Sequence, residues 1–202
     1  MRKKPIDRQR PRCHDDMTII IYNLVGVQIP ERRKRQSMTV RKIEIERLTI
    51  TSSKSFETVV AALETAIGRP DMAEFLKATR SATTYAELQS VVQRSVSAAG
   101  LMLFMKLDAG AVMRRESGLA SPKAQRFLIG NPLIMKDMAK HVPEAASYAP
   151  VTVLVDERPD RVHLGYDKMA SLLAPYGNAV ALAVARELDA KIEKLMRDAA
   201  AG

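Results

Sequence analysis

At 202 residues, with 47% hydrophobic and 27% charged side chains, the chain can bury a core of its own and has the composition of a soluble globular protein. Its +9 formal charge is unevenly spread: residues 1–37 hold ten Lys or Arg against four Asp or Glu, while the other 165 residues carry 22 against 19. A basic tail on a near-neutral body is only weak support for polyanion binding, so nucleic acid is not the expected partner, and a single cysteine, Cys13, excludes an internal disulfide and a cysteine metal cage.

Residues 1–16 are polar and basic without apolar periodicity, which predicts disorder. Met17–Ile29 resembles the apolar region of a signal peptide. It is followed by Glu31-Arg-Arg-Lys-Arg35 rather than a small-residue cleavage site, and it is too short to span a bilayer. The reading is therefore a cytoplasmic protein with no membrane partner. Met38-Thr-Val-Arg-Lys leads straight into the first strand, so residues 1–37 form an extension that translation from Met38 would omit. A peptide from residues 18–34 of the endogenous protein would exclude that start.

From Met38 to Gly202 the pattern predicts a single α+β domain. Ile43–Ser52 alternates as strand one. Ser55 caps a helix with Phe56, Val59, Val60, Leu63 and Ile67 on one face, and Gly68 is expected to stop it in the left-handed region. Asp71 with Glu74, and Thr84 with Glu87, are capping boxes opening two more helices, the second running to Gly100. Leu101–Leu107 is almost wholly apolar and reads as a strand covered on both faces. Asp108 is expected to cap a short helical turn ending at Gly118, and Arg126–Ile129 is the next strand.

In Gly130-Asn131-Pro132 the chemistry is more specific. Proline drives Asn131 out of the helical region, where an N-cap residue belongs, and Pro132 begins a helix at the position that needs no N–H. Val151–Asp156 and Arg161–Tyr166 form a hairpin with Val153, Val155, Val162, Leu164 and Tyr166 inward, leaving His163 and Arg161 outward. A short helix follows at Met169–Leu173. Asn178 then caps a long terminal helix from Ala179 to about Asp198, whose alanines permit close packing and whose Glu187–Lys191 and Glu193–Arg197 spacings suit ion pairs. The predicted fold is an antiparallel sheet of about five strands with helices mainly on one face.

Leu103-Phe-Met-Lys-Leu-Asp108, Ser117-Gly-Leu119, Phe127-Leu-Ile-Gly-Asn-Pro132, Pro150-Val-Thr-Val-Leu-Val155 and Val162-His-Leu-Gly-Tyr166 together resemble the family catalogued as domain of unknown function 302. The resemblance spans roughly residues 46–170. It implies a β-α-β(4)-α arrangement of the TATA-binding-protein-like class, in agreement with the pattern above, and no established activity. Two features depart from it: Ala109 stands where many members carry histidine, and residues 70–99 exceed the usual connection.

No catalytic constellation, phosphate loop or cofactor motif is present, and His14, His141 and His163 lack metal-site spacing. The candidate ligand-binding residues are Asn131, Tyr166 and Asp108. Asn131 stands at a helix N-terminus whose N–H groups suit an anion, and Tyr166 ends an inward strand with a hydroxyl to offer. Asp108 ends a strand as cap or acid. Met102, Met105, Met135 and Met138 could line an apolar pocket. Three hypotheses follow. The first is a non-enzymatic binding module, a homodimer or a holder of a small apolar or anionic ligand. The second is an enzyme, which requires Asp108, Asn131 and Tyr166 to converge. The third is nucleic-acid binding through the basic tail.

Overall fold

The structure, a computed structural model, describes residues 37–201. Cys13, His14, the 17–29 run and the rest of the basic tail through residue 36 lie outside the described residues. The chain divides after Arg41, and the unit beginning at Lys42 holds the fold.

Five strands make one antiparallel sheet in the order β1-β5-β4-β3-β2: β1 (Arg47–Ser52), β2 (Met102–Asp108), β3 (Ala124–Gly130), β4 (Val151–Glu157) and β5 (Val162–Asp167). The described helices are α1 (Phe56–Ala66), α2 (Met72–Ser81), α3 (Tyr85–Ser95), α4 (Ala111–Ser117), α5 (Pro132–Ala139), α6 (Ala145–Tyr148), α7 (Met169–Leu173) and α8 (Ala179–Ala200). This is the expected α+β arrangement with a long terminal helix.

Alternation decides which face is buried. Val153 pairs with Tyr166 and Val155 with Leu164, and all four are buried in one cluster with Phe56, Val59 and Leu63 of α1 and Ala185, Leu188, Ile192 and Met196 of α8. Burying each large apolar side chain contributes about 1.5–3 kcal/mol. Small residues at Ala181, Ala185 and Ala199, all buried, let α8 lie close to its neighbours. A second, smaller core of Phe75, Val92 and Met102 joins α2 and α3 to the start of β2, so the long 70–99 connection is a helical pair with its own packing.

The predicted caps hold at Ser55, Asp71, Thr84 and Asn178, each side chain accepting a backbone N–H of its helix. At Thr84 and Glu87 the capping box is complete, whereas Glu74 supports its cap only as an acidic residue in the first turn.

Several expectations need correction. Strand pairing begins at Arg47↔Asp167 rather than at Ile43, and Ile45 is exposed. Alternation reveals a face but cannot show where a partner strand ends. Gly68 is not a left-handed stop. Ile67 is already extended, and Gly68 bridges Met102, where a Cβ would stand 2.2 Å from the Ser95 carbonyl oxygen. That glycine serves close backbone approach. The helix opened by Thr84 ends at Ser95 because Val96 is extended. β2 is an edge strand with Met105 48% and Leu107 41% exposed, so its apolar run does not mean cover on both faces. Lys191 reaches the Ala99 carbonyl (3.3 Å) while Arg197 pairs with Glu193 (2.7 Å) as expected.

Candidate functional site

The sheet face opposite the α1–α8 core is solvent-facing and can be mapped from register. One row crosses it as Leu107↔Arg126↔Leu154↔Gly165↔Thr49. A second carries Met105↔Leu128↔Thr152, with the Asp167↔Arg47 pair on β5 and β1 beyond it. A third carries Ala124↔Asp156↔His163↔Thr51. The β2–β3 half is apolar apart from Arg126; the β5–β1 half is polar.

Between Leu154 and Gly165 this face sinks into a hollow of about 330 Å³, lined by Thr49, Thr152, Leu154 and Gly165, with Tyr148 and Leu172 from α6 and α7 as a wall. Gly165 explains the depression. Its φ lies outside the left-handed region, and a Cβ added there would meet nothing within 4 Å. Neither backbone conformation nor crowding requires glycine at this point. A glycine inside a strand weakens it and commonly marks the approach of a ligand or another chain.

An Arg–Asp pair borders each end. Arg47 Nε lies 2.6 Å from Asp167 Oδ1 and its Nη2 2.8 Å from Oδ2, a bidentate pair that holds the Asp167 carboxyl below its ordinary range. At the other end Arg158 Nε donates to Asp156 Oδ2 at 2.5 Å. Arg126 differs from both: its Nη2 donates to Thr152 Oγ1 at 3.2 Å, and among the described residues it makes no ion pair.

The wall of the hollow is anchored from behind. Asp189, a carboxylate only 8% exposed in the apolar stripe of α8, accepts the Tyr166 hydroxyl (2.5 Å) and the N–H groups of Met169 (2.8 Å) and Ala170 (3.0 Å). It thus serves the first turn of α7, which has no side-chain cap of its own. Burial raises the Tyr166 phenol well above its ordinary pKa, with the Asp189 charge and hydrogen bond acting the same way. Sequence reasoning missed Asp189, although an acidic residue in a helix's apolar stripe was a visible signal.

The three candidate residues do not meet. Asn131 spends both ends of its amide on structure: Oδ1 accepts Leu133 N–H (2.8 Å) and Nδ2 donates to the Gly100 carbonyl (2.9 Å). Tyr166 is among the hollow's lining residues, but its hydroxyl is directed to Asp189. Asp108 is exposed and pairs with Arg114 at 2.5 Å, which holds its carboxyl below the ordinary range with help from Gly110 and Ala111 N–H. Gly110, not Asp108, occupies the N-cap position of α4, because β2 runs on to pair Asp108 with Gln125. Asp108 and Asn131 therefore stand at opposite ends of the β2–β3 pair. His163 is on the outward face as expected but is only 8% exposed, with Nε2 3.0 Å from Asp160 Oδ2 and Nδ1 buried without a partner among the described residues.

Among the described residues no three His, Cys, Asp or Glu side chains are grouped to hold a metal, and no helix is long and apolar enough to cross a membrane.

Comparison with known proteins gives a family and a fold. The family described as Domain of unknown function DUF302 matches residues 77–199, starting later than the roughly 46–170 span of the motifs noted in the sequence and running on through α8. Among solved structures, the uncharacterized conserved protein DUF302 from Bacillus stearothermophilus is similar, with 14% identity, a TM-score of 0.52, and coverage of 76% of this chain and 97% of that chain. At that identity the likeness speaks to the fold alone. No curated protein matches.

Proposed function

We propose that this chain, which belongs to the DUF302 family of domains of unknown function, is a soluble cytoplasmic, non-enzymatic binding module whose ligand site is the hollow over Gly165. The observation that carries the reading is a glycine in a paired strand with open space where its side chain would stand. The hollow lies at the small end of the range for ligand pockets, ~300–1,000 Å³. It combines an apolar floor at Leu154 with hydroxyls at Thr49 and Thr152 and charges at both ends. The enzyme alternative required Asp108, Asn131 and Tyr166 to converge, and that condition is not met.

Gly165→Val tests the proposal. Valine fills the hollow, while β-propensity predicts unchanged or increased stability. Native mass spectrometry of the purified full chain should show a small-molecule adduct on the wild type that the variant lacks. Identical spectra would count against the site.

A second reading, a homodimer, draws on a separate observation. Met105, Leu107, Val112, Met113 and Leu119 are all exposed within one short stretch around β2 and α4. Gly68 covers only the start of the β2 edge, through hydrogen bonds with Leu101 and Leu103. The rest of that edge suits antiparallel pairing with a second copy. Sedimentation of Leu107→Glu beside the wild type tests this: a dimer should become a monomer, and a wild type monomeric at high concentration would refute it.

A further inference from the structure

We infer that the ligand of the Gly165 hollow is a small monocarboxylate with an apolar body, its carboxylate taken by Arg126 and Thr152 and its body laid over Leu154 and Gly165; this rests on the binding reading above. The hollow's own charges are two guanidinium groups, Arg47 and Arg158, each already held by an aspartate, Asp167 or Asp156. Those pairs offer no net charge. Arg126 adds one cation, without a carboxylate partner among the described residues; it stands beside the hollow, its Nη2 donating at 3.2 Å to Oγ1 of Thr152, one of the lining residues.

Three guanidinium groups against two carboxylates leave one positive charge, which suits a single negative charge better than a phosphate dianion. The planar fork of arginine matches a carboxylate in two parallel N–H···O bonds, and the Thr152 hydroxyl stands ready as a further donor.

Around Arg126 the surface is apolar. Leu107 and Leu154 flank it across the sheet, and Leu128 lies two residues along β3 with Met105 opposite. A cation set among leucines favours an anion with hydrocarbon attached over a free inorganic ion. The polar β5–β1 side, with the bidentate Arg47–Asp167 pair, borders the far side of the hollow. A free medium-chain carboxylate therefore fits better than a long lipid chain.

The test is amide chemical-shift titration of the full-length protein with octanoate, 1-octanol and octylammonium, for the wild type, Arg126→Gln and Gly165→Val. Octanoate should move the Gly165 and Thr152 amides and bind about tenfold or more tightly than octylammonium. Arg126→Gln should weaken octanoate about tenfold and leave octanol unchanged, with thermal stability preserved because the side chain is exposed. Equal binding of octanoate and octylammonium, or an octanoate affinity indifferent to Arg126→Gln, would overturn the carboxylate inference. The hollow itself would survive that result if Gly165→Val still abolished octanol binding. If none of the three probes moved the Gly165 amide, the binding reading would fall with it.

Discussion

Replacing Asp189 should be among the most damaging single changes in the fold, although it removes no apolar surface. Three donors converge on this carboxylate from Tyr166, Met169 and Ala170 at 2.5–3.0 Å. Asp189→Ala strands the Tyr166 hydroxyl and the Ala170 N–H and leaves the Met169 N–H only its longer bond to the Tyr166 hydroxyl (3.2 Å); each buried donor without an acceptor costs roughly 1–3 kcal/mol. Water can reach the part-buried Ala170 amide, so the costs do not sum fully, and about 3–5 kcal/mol is expected. That is a large share of the ~5–15 kcal/mol holding a typical domain together. Asp189→Asn keeps an oxygen for Tyr166 and Met169 but turns an N–H group toward the Ala170 N–H, for about 1–3 kcal/mol. Tyr166→Phe leaves the carboxylate two donors and should cost about 1–2 kcal/mol. The assay is equilibrium unfolding in urea at neutral pH. With a slope of ~2 kcal/mol per molar, Asp189→Ala should lower the midpoint by about 1.5–2.5 M. The double variant should fall short of the sum, because both changes break the same contact. An Asp189→Ala cost below ~1 kcal/mol, or Tyr166→Phe exceeding it, would refute the anchoring role.

The remaining expectations concern other joints of the fold. Asn131→Ala should cost about 1 kcal/mol for the lost α5 cap, plus the Gly100 link, while Asn131→Asp should recover the cap alone; thermal unfolding of the two distinguishes these parts. Gly68→Ala should destabilise by roughly 3 kcal/mol, because the new Cβ meets backbone at Ser95, Val96 and Ser97, and backbone cannot swing aside; an urea midpoint close to wild type would contradict this. Asp108, Asp137, Asp160 and Asp167 all have carboxyls below the ordinary range, each chiefly through a hydrogen bond from a cationic or histidine partner. Their stabilisation is present above the unfolded pKa of about 4 and is lost as pH falls through the lower folded values. Stability measured from pH 6 downward should therefore hold until about pH 4 and then decline, by little for each exposed pair. Arg47→Gln should flatten part of that decline.

Much of the fold was readable because certain residues allow few conformations. Proline after Asn131 leaves one reading of a helix start, and Thr84 with Glu87 leaves another. Alternation across Val151–Val155 and Val162–Tyr166 fixed the buried face and hence which residues face outward. What could not be read was decided by partners distant in sequence. Nothing in Leu101–Leu107 says that it is an edge, since an apolar strand looks the same whether its outer side meets protein or solvent. Gly68 resembles a helix stop until Ser95 is placed against it. Asp189 and Gly165 are a different case. Each breaks the pattern of its own element, one as a carboxylate in an apolar stripe and the other as a gap in an alternating strand. Asn131 drew attention as the cap of a helix whose N–H groups suit an anion, and Tyr166 as a hydroxyl ending an inward strand, yet their polar atoms are engaged in building the fold.

The central claim, that the hollow over Gly165 is a binding site, is tested most directly by mapping amide shifts with 1-octanol, an uncharged probe that isolates the cavity from Arg126. Shifts should centre on Thr49, Thr152, Leu154, Gly165 and Leu172 and vanish in Gly165→Val. Shifts centred instead on Met105–Leu119, or equal in both proteins, would contradict it.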